Sequence, residues 1–344
     1  MKRTLPVLGL VMIAGAALGG CAGGSGGTSR AGDDAAPVLR AADESRRVAI
    51  FNERGERVTW EDMLRDAAIA EAVILGEQHG QELGLSAAAA LWRDLIAREA
   101  SGGGGFRGAL ALEFIERDDQ SRLDDFLAGL SDEATFVRRA GRSSAGADGG
   151  NWSAGHRDMV LAAKDAGRPV IAANSPRAYV RLARTKGFAA IAALSEEQRR
   201  LVTVPREMPR GRYREDFERM MGGGDASATA APMGDFIQGA AIAAPVVRNT
   251  PRMDVEGFFR AQSVWDWTMA QSVNDAIGRG LRPTVLVVGQ FHSDFRGGLV
   301  QALDAIRPGR RIVTVSFQSG VSRSAVSLGT EHLGRASFVV GTGE

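Results

Sequence analysis

Ala72-Val73-Ile74-Leu75-Gly76-Glu77-Gln78-His79 reads as an apolar, β-branched strand that stops at a glycine and then delivers a carboxylate and an imidazole. Thr284-Val285-Leu286-Val287-Val288-Gly289-Gln290-Phe291-His292 repeats that grammar near the other end of the chain. A continuous apolar run of this length is the mark of a strand buried on both faces, as in a parallel sheet. The polar groups just past it then lie at the C-terminal edge, where open α/β sheets bind their ligands. The chain has four histidines, and two of them occupy this same context. The two stretches are far apart in sequence, so only a closed tertiary fold can join them in one site.

Working outward, the same alternation recurs. Val48-Ala49-Ile50-Phe51 and Arg57-Val58-Thr59 flank a turn at Asn52-Glu53-Arg54-Gly55, and Thr59 with Asp62 forms a helix-starting pair close to a capping box. A helix is expected from about 82 to 100, then a strand 109–112 ending in Glu113, a helix from about 156 to 166, and a strand 168–173 stopping at Asn174. The last units are a helix from about 294 to 306 and a strand 311–315. Strands alternating with helices predict an α/β fold: a mainly parallel β-sheet flanked by helices. Residues 187–221 and 235–279 are helical in pattern, with Phe258, Phe259, Val264, Trp265, Met269 and Val273 at helical spacing. They are read as a smaller helical subdomain inserted at about 187–279 of a domain spanning 46–344. Residues 141–150 form a Gly-rich loop, and 222–234 are low in complexity.

The N-terminus reads as a processing segment. Lys2 and Arg3 precede an apolar stretch from Leu5 to Leu18 that is too short and too rich in Gly and Ala to span a bilayer, so residues 1–20 are expected to be a signal peptide. Leu18-Gly19-Gly20-Cys21 resembles the lipobox of bacterial lipoproteins, which implies lipidation of Cys21, and Ala22 after it implies retention at the outer membrane, facing the periplasm. Residues 21–45 are Gly, Ser, Ala and Asp with little to bury and read as a flexible tether. Cys21 is the only cysteine, which excludes an intrachain disulfide. Without residues 1–20 the balance is 40 basic against 41 acidic side chains, since 42 and 41 are the totals and two basic residues leave. No basic excess speaks for a nucleic-acid partner.

Chemistry-bearing residues collect at the strand ends. Glu77 and His79 can reach one cleft from a single turn. Glu113 ends an apolar strand, where an unpartnered carboxylate is costly. It needs a cation, a metal or a histidine. Asn174 and Arg177 flank Pro176 at a strand-to-helix turn, placing a guanidinium near the same edge, suited to a ligand carboxylate or to Glu113. Gln262 and Asp266 share a helix face at i, i+4, and His156 follows Trp152 by one helical turn. The two tyrosines are Tyr179 and Tyr213. Tyr179 lies just beyond Arg177, and a phenolate is a recognised axial ligand of ferric haem.

The ordered motifs VILGEQHG (73–80), LALEFIERDDQ (110–120), NWSAGH (151–156), VIAANSPRAYV (170–180), FFRAQSVWDWTMAQ (258–271) and VLVVGQFHSDFRGG (285–298) resemble the ChaN-like haem-binding lipoproteins of the Tiki/TraB/erythromycin-esterase-like superfamily. The resemblance runs from about residue 47 to 317. It implies a parallel sheet with a helical bundle, haem as cofactor, a role in haem and iron uptake at the cell envelope, and a homodimer enclosing stacked haems. The family's polar constellation falls on Glu77, His79, Glu113, Arg177, Gln262, Asp266 and His292; Tyr179 and His156 are added as candidate haem contacts. Gly80 stands where the family often has Asp, and His156 where an aromatic is common. The alternative reading is a hydrolase built on Glu77, His79, Glu113 and His292. It would work by acid–base chemistry or through a divalent metal on the same four residues.

Overall fold

A computed structural model describes residues 44–100, 107–141, 152–221 and 254–344. The expected signal peptide, Cys21 and most of the tether lie outside these residues, as do the Gly-rich loop and the low-complexity segment. Eight strands form one sheet in the order β2-β1-β8-β7-β3-β6-β4-β5. The strands are β1 (Ala49–Asn52), β2 (Arg57–Val58), β3 (Ala72–Glu77), β4 (Ala109–Glu116), β5 (Val170–Asn174), β6 (Thr284–Gly289), β7 (Ile312–Ser322) and β8 (Phe338–Gly343). From β8 to β5 every neighbouring pair is parallel, while β1 and β2 add an antiparallel edge. The mainly parallel α/β sheet expected from the sequence is therefore the architecture.

Helices cover both faces. Helices α1 (Trp60–Ala68), α2 (Glu82–Ala100), α3 (Gln120–Leu127), α4 (Glu133–Arg139) and α5 (Ala154–Asp165) pack on one side. There Leu91, Trp92, Phe136 and Met159 meet Val73, Leu75, Leu110, Leu112, Val285 and Val287. On the other face, Trp267, Met269 and Val273 of the long helix α10 (Val255–Gly278) and Leu299 and Leu303 of α11 (Gly298–Ile306) meet Ile74, Ala111, Leu286 and Val288. Between β5 and α10 run α6 (Arg177–Lys186), α7 (Phe188–Ala192), α8 (Glu196–Arg199) and α9 (Arg212–Met221). The predicted capping box at Thr59 and Asp62 is present.

Side chains alternate in direction along each strand, which sets the face each residue serves. The connections after β3 and β6 leave to opposite faces, since α2 belongs to one layer and α11 to the other. β3 and β6 are neighbours, paired up to Glu77 opposite Gly289. That is the arrangement that opens a crevice at the strands' C-terminal ends. At the far edge, the Gln120 amide stands in for a further strand. It donates to Val170 O at 3.0 Å and accepts from Ala172 N at 2.7 Å, covering the open side of β5.

The boundaries differ from expectation in several places, among them β7, which runs to Ser322 rather than ending at 315. β4 does not stop at Glu113 but continues to Glu116, with an irregularity in its pairing to β5. The helix expected at about 294 begins at Gly298, after a 3-10 turn over Gln290–His292 and two left-handed residues, Phe295 and Arg296. β8, unforeseen, inserts between β7 and β1. No helix among the described residues is long and apolar enough to cross a membrane.

Candidate functional site

Glu77 ends β3 on the same side as Val73 and Leu75, toward the α5 layer. Glu113 shares the side of Ala109 and Ala111, toward α10. The two carboxylates therefore leave the sheet on opposite faces, each into a histidine cluster of its own.

On the first face, Glu77 is buried and accepts from two imidazoles. His79 Nδ1 donates to Oε1 at 2.9 Å, and His156 Nε2 donates to Oε2 at 2.7 Å. His156 reaches the site because Ser153 caps α5, and its Nδ1 meets the Ser153 hydroxyl at 3.0 Å. Its ring packs 4.2 Å from that of Phe114. Burial works to raise the Glu77 pKa. The two histidines outweigh it and hold the carboxyl well below the ordinary carboxylate range. His79 is the exposed member, at 36%. Its Nδ1–H on a buried carboxylate fixes the tautomer and makes Nε2 the basic nitrogen.

The second cluster inverts that arrangement, with one imidazole between two carboxylates. His292 Nδ1 donates to Asp266 Oδ1 at 2.6 Å, and its Nε2 lies 3.3 Å from Glu113 Oε1. The Gln262 amide nitrogen sits 3.1 and 3.2 Å from the two ring nitrogens, and Asp266 also accepts from the Tyr213 hydroxyl at 2.7 Å. Burial depresses the His292 pKa, but Asp266 and then Glu113 raise it further, to about 10. The two carboxylates thus favour the imidazolium form of His292, with Nδ1 donating to Asp266 and Nε2 facing Glu113. Glu113 is held below the ordinary carboxylate range; burial opposes this and is overcome by His292, His79 and the Gly289 amide, which donates at 2.6 Å.

The clusters meet over Gly289, at the end of the strand that separates β3 from β4. A methyl group there would lie 3.3 Å from His79 Nε2 and 3.6 Å from Glu113 Oε2. The absence of a side chain at this position opens one small space to both. Gly289→Val should fill it, lowering affinity for any ligand of the crevice at least tenfold while circular dichroism remains that of the parent. Unchanged ligand affinity in a folded Gly289→Val protein would show that the space over Gly289 is not used.

Seven of the nine crevice residues singled out in the sequence come together: Glu77, His79, Glu113, His156, Gln262, Asp266 and His292. The other two stand elsewhere. Arg177 does not reach Glu113; its Nε lies 3.4 Å from Glu116 Oε1, and it is half exposed at the rim. Tyr179 packs in a separate helical cluster with Val180, Leu182 and Ala261. The tyrosine that joins the site is Tyr213. Its hydroxyl is buried and donated, and burial followed by Asp266 pushes its pKa well above the ordinary value. Such a group does not supply a phenolate to iron. Sequence reading also missed Arg117, whose half-buried guanidinium, just past the end of β4, donates to Ser272 Oγ, Thr268 O and Arg200 O. Its signal was present: a basic residue at i+4 from Glu113 that closes the LALEFIER run. The metal reading of Glu77, His79, Glu113 and His292 gains no geometric support. Among the described residues no group of three or more His, Cys, Asp or Glu is placed to hold a metal ion.

With this geometry established, comparison with known proteins bears on identity. The family described as "Haem-binding uptake, Tiki superfamily, ChaN" matches residues 63–303, well over half of the chain. The chain belongs to this family. ChaN of Campylobacter jejuni, solved with cofacial haem, is similar in fold: TM-score 0.56 and 14% identity over 85% of this chain and 96% of that one. A mutant of the erythromycin esterase EreC in its open conformation aligns with TM-score 0.39 and 16% identity, covering 82% of this chain and 77% of that one. The type III effector HopBA1 aligns with TM-score 0.39 and 14% identity, covering 82% and 91%. No curated protein matches the sequence. Of the three imidazoles at the strand ends His79 is the most exposed, at 36% against 5% for His156 and 8% for His292.

Proposed function

We propose that this chain binds haem at the C-terminal rim of its sheet, with His79 facing the iron. The observation that carries the reading is the Glu77–His79 pair. A buried carboxylate on Nδ1 orients an imidazole and raises the donor strength of its other nitrogen, the arrangement that suits a metal-bound histidine. Glu77, Glu113 and Asp266 place three carboxylates among the imidazoles of the crevice, a set that favours a ferric centre over a propionate at that point. Bound haem would supply the iron. The protein's residues hold it, and Phe114 and Phe291, both half-buried beside the two histidine clusters, offer apolar faces to the ring. Arg177 at the rim supplies a cation for a propionate.

The wider role is haem and iron uptake at the cell envelope. Family membership supports it, and the lipobox sequence ending in Cys21 supports a lipid anchor at the outer membrane, facing the periplasm. Pairing of two copies around stacked haems is part of the same reading. A second reading, hydrolysis with His79 as general base, is favoured by the same Glu77–His79 geometry opposed by Glu113.

Titrating ferric haem into the protein lacking residues 1–20 separates the two. A saturable Soret shift is expected, weakened at least tenfold by His79→Ala. A shift that survives His79→Ala but disappears in Tyr179→Phe would move the iron to Tyr179. No saturable shift, together with His79-dependent turnover of an aryl ester, would replace haem binding by hydrolysis.

A further inference from the structure

Helix α9 comes to the crevice from outside the two layers that build it. Arg212 lays its guanidinium 3.3 Å from the ring centre of Phe295, and Tyr213 packs 4.9 Å from Phe291 while its hydroxyl donates to Asp266. Both aromatic partners belong to the loop that carries His292. That loop holds two consecutive non-glycine residues in the left-handed region, Phe295 at φ 53° and Arg296 at φ 56°. Such backbone persists only where its surroundings impose it. Here Phe295 N donates to Arg335 O at 2.7 Å, and the Phe295 ring lies between the guanidiniums of Arg212 and Arg335.

The Tyr213–Asp266 contact is built into the start of α11. A Cβ at Gly298 would collide with Asp266 Oδ2 and Tyr213 Cε1, so this seat exists only because Gly298 has no side chain. Asp266 is fully buried, and its two oxygens are divided between Tyr213 and His292. We propose that Tyr213 is a positioning residue of the crevice: its hydroxyl fixes the Asp266 carboxylate as the acceptor of His292 Nδ1–H and so ties the docking of α9 to the geometry of the site.

The chemistry is direct. A carboxylate in an apolar setting keeps its charge only through its donors. Tyr213 is one of two, the other being the imidazole it must hold. Removing the phenol leaves Oδ2 without a partner and favours the protonated acid, whose remaining carbonyl oxygen is a neutral and weaker acceptor for His292. The titratable groups facing Asp266 are His292, Tyr213 and Glu113. The inference deepens the reading of this crevice as a binding centre but is tested on the protein alone, so it can fail while haem binding stands, and the reverse.

The experiment follows the His292 Nδ1–H resonance at low field in protein carrying 15N-labelled histidine, from pH 7 downward. In the parent the signal moves upfield as Asp266 takes a proton and the bond weakens. In Tyr213→Phe the midpoint of that change should move up by about one pH unit, the usual effect of deleting a hydrogen bond to a buried carboxylate. A second arm uses the parent side chain. The chain has two tyrosines, so 3-fluorotyrosine incorporated into Tyr179→Phe reports on position 213 alone. Its more acidic phenol is a stronger donor and should move the midpoint down relative to unfluorinated Tyr179→Phe. If Tyr213→Phe does not fold, the fluorinated arm decides. A midpoint unmoved by fluorination, or unmoved in a folded Tyr213→Phe, would leave Tyr213 a packing residue and overturn the proposal.

Discussion

His292→Ala is expected to destabilise the protein by about 4 kcal/mol at pH 6, the cost of removing one partner of a buried ion pair, and to change the shape of its stability profile with pH. Asp266 is fully buried and Glu113 is held beside it, so the variant leaves two carboxylates without the imidazolium that compensates them. The His292 pKa is raised on folding from 6.5 to about 10. A group raised in this way contributes its stability in full below its unfolded value and loses it as pH climbs to the folded one. The parent should therefore weaken progressively between pH 6.5 and 10. The variant, having no such group, should change much less over that window, and the two should converge toward pH 10. Urea unfolding at pH 6, 8 and 10 reads this directly. A parent–variant gap that stays constant from pH 6 to 10 would mean that His292 is neutral in the fold.

Glu77→Gln is the counterpart on the other face. The side chain keeps its volume but offers one acceptor and one donor to two imidazole N–H groups, so one donor must face another. Loss of about 3 kcal/mol at pH 7 is expected for breaking such a buried pair, and with it the haem titration should weaken at least tenfold, since His79 loses its orienting partner. The sign of the pH effect is opposite to that of His292. Glu77 is held well below its ordinary value of 4.5, so its contribution is complete above that pH and falls as acid is added, toward the folded value. Within that interval the gap between parent and variant should narrow by about 1.4 kcal/mol per pH unit. Measured at pH 7, 4.5 and 3, an undiminished gap would show that Glu77 is not the anion of this cluster.

Much of this was legible before the fold was known, for a physical reason. Parallel strands buried on both faces must be apolar throughout, so Glu77, His79, Glu113 and His292 stand out as ionisable groups just past Leu75, Leu112 and Val288. Gln262 and Asp266 were readable because i, i+4 spacing puts them on one helix face, and His156 because it follows Trp152 by one helical turn. What escaped notice depends on contacts that leave no local pattern. Tyr213 meets Asp266 across 53 positions, and nothing in the amphipathic run of α9 separates its inward tyrosine from an ordinary packing residue. Arg177 and Glu113 looked compatible, yet the extra residues of β4 bring Glu116 to the arginine instead. β8 was hidden because Phe338-Val339-Val340-Gly341-Thr342-Gly343 is short and broken by glycines, a weak strand by propensity that its two neighbours complete.

The Gln120 amide on β5 has a bearing on how two molecules can associate. By occupying the Val170 carbonyl and the Ala172 amide, it removes the hydrogen-bonding template that an incoming backbone would need. At the opposite margin β2 offers only two residues, Arg57 and Val58. A strand arriving at β5 would first have to displace Gln120 from both groups, so edge pairing there begins with the loss of two existing hydrogen bonds.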